Sequence, residues 1–264
     1  PRGAVIGSSS SPYFNPLISP VSGPQRTLLI LVEFSDVKHT QDKAAIDALI
    51  FGQMAKYYAE VSYGKVQIVG QSVGWYTLHE DMQYYGADVN PNRPGSDARD
   101  AELIADAVYA AQASVNFQNY SRIMVVHAGV GQEDQPQNSS LIWSQTYWAG
   151  LSLHTNDGTV ITAASVVPEM EASGHSALGV YTHEFGHLLM LPDLYDENIK
   201  ADNPDDFVGR WSLMGTGLWL GNPRGSTPAE LEAWSRIRLG WLTPDSVDLN
   251  TNDLALQPET LQPL

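Results

Sequence analysis

Residues 183–196 read His183-Glu184-Phe185-Gly186-His187-Leu188-Leu189-Met190-Leu191-Pro192-Asp193-Leu194-Tyr195-Asp196. On a helix, positions i and i+4 differ by about 400°, so His183 and His187 point the same way from adjacent turns. Two imidazoles so placed can grip one Zn²⁺, and Glu184 lies beside them, close enough to hold a water and take its proton. A His-Glu-x-x-His pattern arises by chance in about 1% of shuffled chains of this composition, so two ordinary helix histidines are the competing account and the flanking residues carry the decision. Pro192 makes Leu191 a poor helical residue and favours an exit from the helix. Asp193, six residues past His187, is then placed to return a carboxylate to the metal and complete two His plus one Asp, leaving the fourth position open.

Downstream, Trp211-Ser212-Leu213-Met214-Gly215-Thr216-Gly217 sets Met214 in a Gly-rich turn. An extended zinc motif followed by a Met-containing turn is the metzincin order. A rival third ligand is Glu230 or Glu232 on a predicted helix spanning 228–239, where acids near a helix start are also ordinary. Motif order favours Asp193, and both glutamates stay open as alternatives.

Outward from this centre, Arg26–Phe34 (RTLLILVEF), Lys65–Leu78, Arg122–Ala128 and Val160–Val167 read as strands. Asp42–Ser62 predicts two helices or one kinked helix broken near Gly52, and Asp97–Val115 an amphipathic helix with Leu103, Ile104, Ala107, Val108 and Ala111 in one stripe. Gly174–Met190 and Pro228–Leu239 are further helices, the latter with Pro at its first position. The alternation predicts an α/β (α+β) chain with a mixed twisted sheet, the active-site helix, and a smaller C-terminal lobe. Residues 1–25, rich in Ser, Pro and Gly, read as an arm or linker, and 26–264 as the catalytic domain with a lobe boundary near 193.

The chain has 264 residues, 43% hydrophobic and 17% charged, enough to bury a sizeable core. Fourteen Lys and Arg against thirty Asp and Glu give −16 at pH 7. That charge disfavours nucleic-acid partners and anionic membrane surfaces, and suits extracellular media and divalent cations. Without cysteine, disulfide scaffolds and thiolate metal sites are excluded. No apolar stretch is long enough to cross a bilayer. The chain opens at Pro1-Arg2 with no initiator Met or signal peptide, as a processed or excised piece would.

The sequence resembles the immune inhibitor A family of secreted bacterial metallopeptidases. The resemblance is carried by LLILVEFSD (28–36), YYAEVSYGKVQIVG (57–70) with Gly74-Trp75-Tyr76, VVHAG (125–129), HEFGHLLMLPDLYD, WSLMGTG and LGWL (239–242). It implies a metzincin-like zinc endopeptidase with His183, His187 and Asp193 as zinc ligands and Glu184 as general base. It also implies secretion as a zymogen, and protein or peptide substrates. One departure stands out: metzincin-type motifs carry Gly three residues after the second His, where this chain has Met190. If that turn needs φ > 0, the side chain costs about 1–2 kcal/mol.

The acidic segment 196–206 gathers Asp196, Glu197, Asn198, Asp202, Asn203, Asp205 and Asp206, a density of hard oxygen donors that suits Ca²⁺ as well as plain solvation. His127 reads as a buried structural residue; His39, His79, His154 and His175 read as surface residues. Tyr181 and Tyr195 flank the metal motif, either as packing residues or as donors to an oxyanion. The stretch 216–227, with Trp219 and Arg224, reads as a wall of the substrate pocket or as an ordinary loop. The sequence therefore predicts a secreted, monomeric zinc endopeptidase. The alternative is a catalytically silent cell-surface adhesion or binding module on the same fold, which would have no use for Glu184.

Overall fold

The computed structural model describes residues 20–244 apart from 91, 149, 173 and 196–206. The chain runs β1 (Gly23–Glu33), α1 (Lys43–Asp47), a π-helical segment (Ala48–Met54), α2 (Ala55–Val61), β2 (Val66–Thr77), α3 (Met82–Gly86), α4 (Asp100–Ala111), β3 (Arg122–Val130), β4 (Gln145–Tyr147), β5 (Leu153–His154), β6 (Val160–Ile161), β7 (Ala164–Met170), α5 (Leu178–Leu188) and α6 (Ala233–Arg238). Five strands form one mixed sheet in the order β2-β1-β3-β7-β4. The first four are parallel, and β4 pairs antiparallel with β7 at the edge.

Strand β1 is buried on both faces, and its alternation divides the core. Leu29 and Leu31 pack with Ile50, Met54, Tyr58, Phe185 and Met214 on one face. Leu28, Ile30 and Val32 pack with Leu103, Ile104, Ala107 and Val108 of α4 on the other. This period-two split gives a layer of helices on each side of the sheet, as central parallel strands require. The expected α/β fold with a mixed sheet and the His-Glu-x-x-His helix against it is borne out.

Several elements differ from the sequence expectation. Strand β1 begins at Gly23, three residues ahead of Arg26, because Gly23 pairs with Val66 at the start of β2. The break near Gly52 is a π-helical stretch joining α1 to α2 without interruption. Val160–Val167 is not one strand: β6 pairs with β5 in a separate two-stranded unit, and β7 enters the main sheet. The helix expected over 228–239 is confined to Ala233–Arg238, so Pro228 does not start it. The preceding backbone is committed elsewhere: the Glu230 carbonyl accepts from Leu213 N at 3.1 Å, and Ala229 N donates to Gly217 O at 3.0 Å.

The LGWL motif fastens the described end of the chain to its beginning. Val21 N donates to Leu239 O at 3.0 Å, and Trp241 Nε1 to Val21 O at 2.8 Å. Among the described residues no helix is long and apolar enough to cross a membrane.

Candidate metal and active site

Every residue of α5 from Leu178 to Leu188 is buried. Tyr58 Oη donates to Thr182 O at 2.7 Å, and its ring lies 5.0 Å from that of Phe185. Gly186, inside the motif, has a specific need to be glycine: a Cβ there would stand 2.6 Å from Met214 Sδ and 3.3 Å from Tyr58 Oη. The Met-turn therefore lies directly against the helix that carries both histidines.

The helix ends in a 6→1 and 5→2 pair of backbone bonds, Leu191 N to Gly186 O at 3.1 Å and Met190 N to His187 O at 2.8 Å. Met190 holds φ 71, so the left-handed turn is kept without the glycine it favours. The reversal sends Pro192 and Asp193 back over the helix, and Leu194 N is fixed by Met214 O at 2.8 Å.

These constraints bring three atoms together. His183 Nε2 and His187 Nε2 are 3.0 Å apart, and Asp193 Oδ1 lies 3.1 Å from the first and 3.3 Å from the second. Ligands about 2.0–2.1 Å from a tetrahedral zinc stand about 3.3–3.4 Å from one another, close to this triangle. His183 Nδ1 faces Leu213 O at 2.9 Å and His187 Nδ1 faces Leu191 O at 2.8 Å. With each Nδ1–H given to a carbonyl, both Nε2 atoms are left facing Asp193, to ligate a cation or to hold a proton in its place. Asp193 Oδ1 is buried with no other hydrogen-bond partner. Three acceptors thus converge where only a cation or a proton satisfies them, and the donor set suits zinc.

The electrostatics agree with that geometry. Burial works against a charge on His187, but the Asp193 carboxylate overrides it and lifts the histidine to about 9. Burial opposes the charge on Asp193 too, and the two histidines still hold it well below the usual carboxylate range.

Glu184, 5% exposed, also belongs to a ligand-capable group with His183 and His187. Its Oε2 accepts from Thr146 Oγ1 at 2.7 Å, and the same hydroxyl lies 2.7 Å from Ser165 Oγ and 3.1 Å from Glu184 O. Thr146 sits on β4, the edge strand, 38 residues before Glu184 in the chain, and no local spacing announces it. The support beneath the Met-turn was equally hidden. Ser212 Oγ donates to Glu232 Oε2 at 2.5 Å and accepts from Met214 N at 3.1 Å. Glu232 caps α6 through Ser235 N at 2.9 Å, and Glu230 pairs with the buried Arg236 at 2.5 Å. Neither alternative glutamate joins the histidine cluster, nor is either a plain solvated helix acid.

The remaining candidates fall into place. Tyr181 is buried and donates to Pro168 O at 2.8 Å, and the Tyr195 ring lies 6.4 Å from that of His183. His127 is fully buried in β3, and burial lowers it to about 4. His175, read as a surface residue, instead pairs with the buried Asp134 at 2.8 Å. The calcium candidates Asp196, Asp202, Asp205 and Asp206 lie outside the described residues.

A helix-borne histidine pair joined by an aspartate, with an intervening glutamate and a methionine turn beneath, has the form of a zinc metallopeptidase centre. Residues 120–242 match the model of the immune inhibitor A peptidase M6 catalytic domain. The pre-pro-metalloprotease PrtV of Vibrio cholerae serotype O1 is 27% identical over 255 residues, covering 80% of this chain and 26% of that protein. Immune inhibitor A of Bacillus thuringiensis subsp. alesti is 27% identical over 262 residues, covering 77% of this chain and 38% of that protein. Among solved structures, metalloproteinase-II of Bacteroides fragilis aligns with a TM-score of 0.44 and 13% identity, over 85% of this chain and 54% of that one. The resemblance read from the sequence is borne out: the chain is similar to the immune inhibitor A metallopeptidases, most specifically over residues 120–242. It spans 26% to 38% of the length of the curated relatives.

Proposed function

We propose that the chain is the catalytic unit of a zinc-dependent endopeptidase that acts on proteins or peptides outside the cell. The observation that carries this is the convergence of His183 Nε2, His187 Nε2 and Asp193 Oδ1 within 3.0 to 3.3 Å of one another. His183, His187 and Asp193 would hold the zinc, which when bound supplies Lewis acidity to a scissile carbonyl and lowers the pKa of a water.

The protein's own groups do the rest. Thr146 Oγ1 holds one oxygen of Glu184, leaving the other to orient the attacking water. Glu184 takes that water's proton and passes it to the leaving amine. Strand β4 ends the sheet, so an extended peptide can add to its open edge within reach of Glu184 through Thr146. The names of the relatives, a pre-pro-metalloprotease and immune inhibitor A, support a secreted protein made as a zymogen. The −16 charge supports a role without nucleic acid, as a monomer. Calcium at Asp196, Asp202, Asp205 and Asp206 is part of the same reading, on the oxygen chemistry of that segment.

Zinc content and casein hydrolysis, each with and without a chelator, test the proposal. Stoichiometric zinc with chelator-sensitive hydrolysis is expected. Glu184→Ala is expected to retain zinc while turnover falls at least about a hundredfold. Zinc-loaded protein with no hydrolysis would favour the silent binding module.

A further inference from the structure

The loop after the Met-turn borders an open cavity of about 550 Å³ lined by Arg210, Thr216, Trp219, Leu220, Gly221 and Arg224. Two of the chain's fourteen basic residues meet there, in a protein of net charge −16. Three backbone connections tie the segments that line this cavity to the elements that build the site. Thr216 follows Met214 by two residues, and Gly217 N is held by Ser212 O at 3.1 Å. On the first turn of α5, Gly179 N donates to Gly225 O at 2.9 Å, and a Cβ on Gly179 would meet Leu218 O at 2.0 Å. Arg210 comes from the segment between Asp193 and the Met-turn, where Val208 N reaches Leu194 O at 3.5 Å.

Arg224 is held in place at both ends. Its carbonyl accepts from Ser176 N at 2.7 Å just ahead of α5. Its guanidinium lies 4.2 Å over the Trp219 ring, and Nη1 stands 3.7 Å from Asp134 Oδ1. Asp134 is itself shared with His175 at 2.8 Å, so its hold on Arg224 is the looser of the two. The cation–π contact with Trp219 restrains the guanidinium, and a guanidinium's N–H fork matches the two oxygens of a carboxylate. Arg210 is exposed and has no ion-pair partner among the described residues.

We propose that this cavity is a specificity pocket in which Arg224, assisted by Arg210, takes a single acidic side chain of the substrate. The inference rests on the peptidase reading and narrows its substrate class. The net charge of −16 repels polyanionic chains, so the substrate that fits is a neutral or basic segment carrying one Asp or Glu at a fixed distance from the cleaved bond.

Two measurements test this, one of them independent of turnover. In a random peptide library, Asp and Glu should be enriched at one position relative to the cleaved bond. Matched peptides with Glu or Gln there should differ about tenfold in kcat/KM, as a partly exposed charge-assisted pair allows. Arg224→Gln should reduce the difference to within about twofold, and Arg210→Gln should reduce it in part. Calorimetry of the same two peptides on the zinc-loaded Glu184→Ala chain, which cleaves too slowly to interfere, should show the Glu peptide binding about tenfold tighter, and adding Arg224→Gln should abolish that difference. Equal binding of both peptides, or a preference untouched in both variants, overturns the pocket. Charge-dependent binding without any cleavage would keep the pocket and overturn the peptidase reading instead.

Discussion

Two buried acidic regions of this protein resolve the same problem in opposite directions. At the end of α5, Asp193 is half-buried, with its Oδ1 shut off from solvent beside two histidines, and keeps its charge. At the C-terminal ends of β3 and β7, Glu171 is 1% exposed, both its oxygens lack partners, and its nearest charged neighbours are Glu133 and Asp134. Burial and those two carboxylates push Glu171 up to about 11. Burial likewise raises Glu133 to about 7, against the donation of Ser144. Burial raises every buried acid; the neighbours decide whether it ends as an anion or as an acid. A convergence of three metal-capable side chains is found among the described residues at α5 alone, and Glu171 is held as a neutral acid where the histidine cluster calls for a cation.

The comparison breaks most visibly in its pH dependence. Zinc must displace the proton that Asp193 keeps on His187, so binding releases about one proton below pH 9. Zinc affinity is expected to fall about tenfold per pH unit on acidification, roughly a hundredfold from pH 8 to 6, read by competition with a chelator of known affinity. A flat profile would mean that His187 is neutral before the metal arrives.

The acid cluster should respond with the other sign. A carboxyl raised in the folded state adds stability that is complete below its unfolded value and is lost as pH rises through the folded one. Denaturant unfolding should therefore show the protein about 1–3 kcal/mol less stable at pH 8.5 than at 5.5. Glu171→Gln, which imitates the protonated acid, should be neutral at 5.5 and stabilising at 8.5. A variant equally destabilised at both values would show that Glu171 is needed as a charge.

The smallest effects concern the loops around the metal. Met190 sits at φ 71, so Met190→Gly is expected to gain up to about 1 kcal/mol in thermal or chemical unfolding with zinc affinity unchanged. Calcium added to the zinc-loaded protein should raise the melting temperature by a few degrees if segment 196–206 holds it.

The legible part of the site was the part written locally. His183, Glu184 and His187 follow from helical spacing, and Pro192 foretold the exit that returns Asp193. Met190 posed its question in the sequence, and the backbone answered it by keeping the left-handed turn. What stayed hidden joins distant segments. Thr146 reaches Glu184 across 38 positions, and the Glu232–Ser212 bond supports the Met-turn across 20. Neither pair leaves a periodic trace. The same cause misplaced the start of α6: the carbonyl of Glu230 serves Leu213, so a Pro-led helix that looked favourable in isolation could not form there.

The central claim is that Asp193 completes the zinc site, and zinc stoichiometry in three single variants tests it most directly. Asp193→Ala should lose most bound zinc, because it removes one of three converging ligand atoms. Glu230→Ala and Glu232→Ala should keep stoichiometric zinc, the second with some loss of stability from the missing cap. Full zinc in Asp193→Ala together with its loss from either glutamate variant would contradict the account.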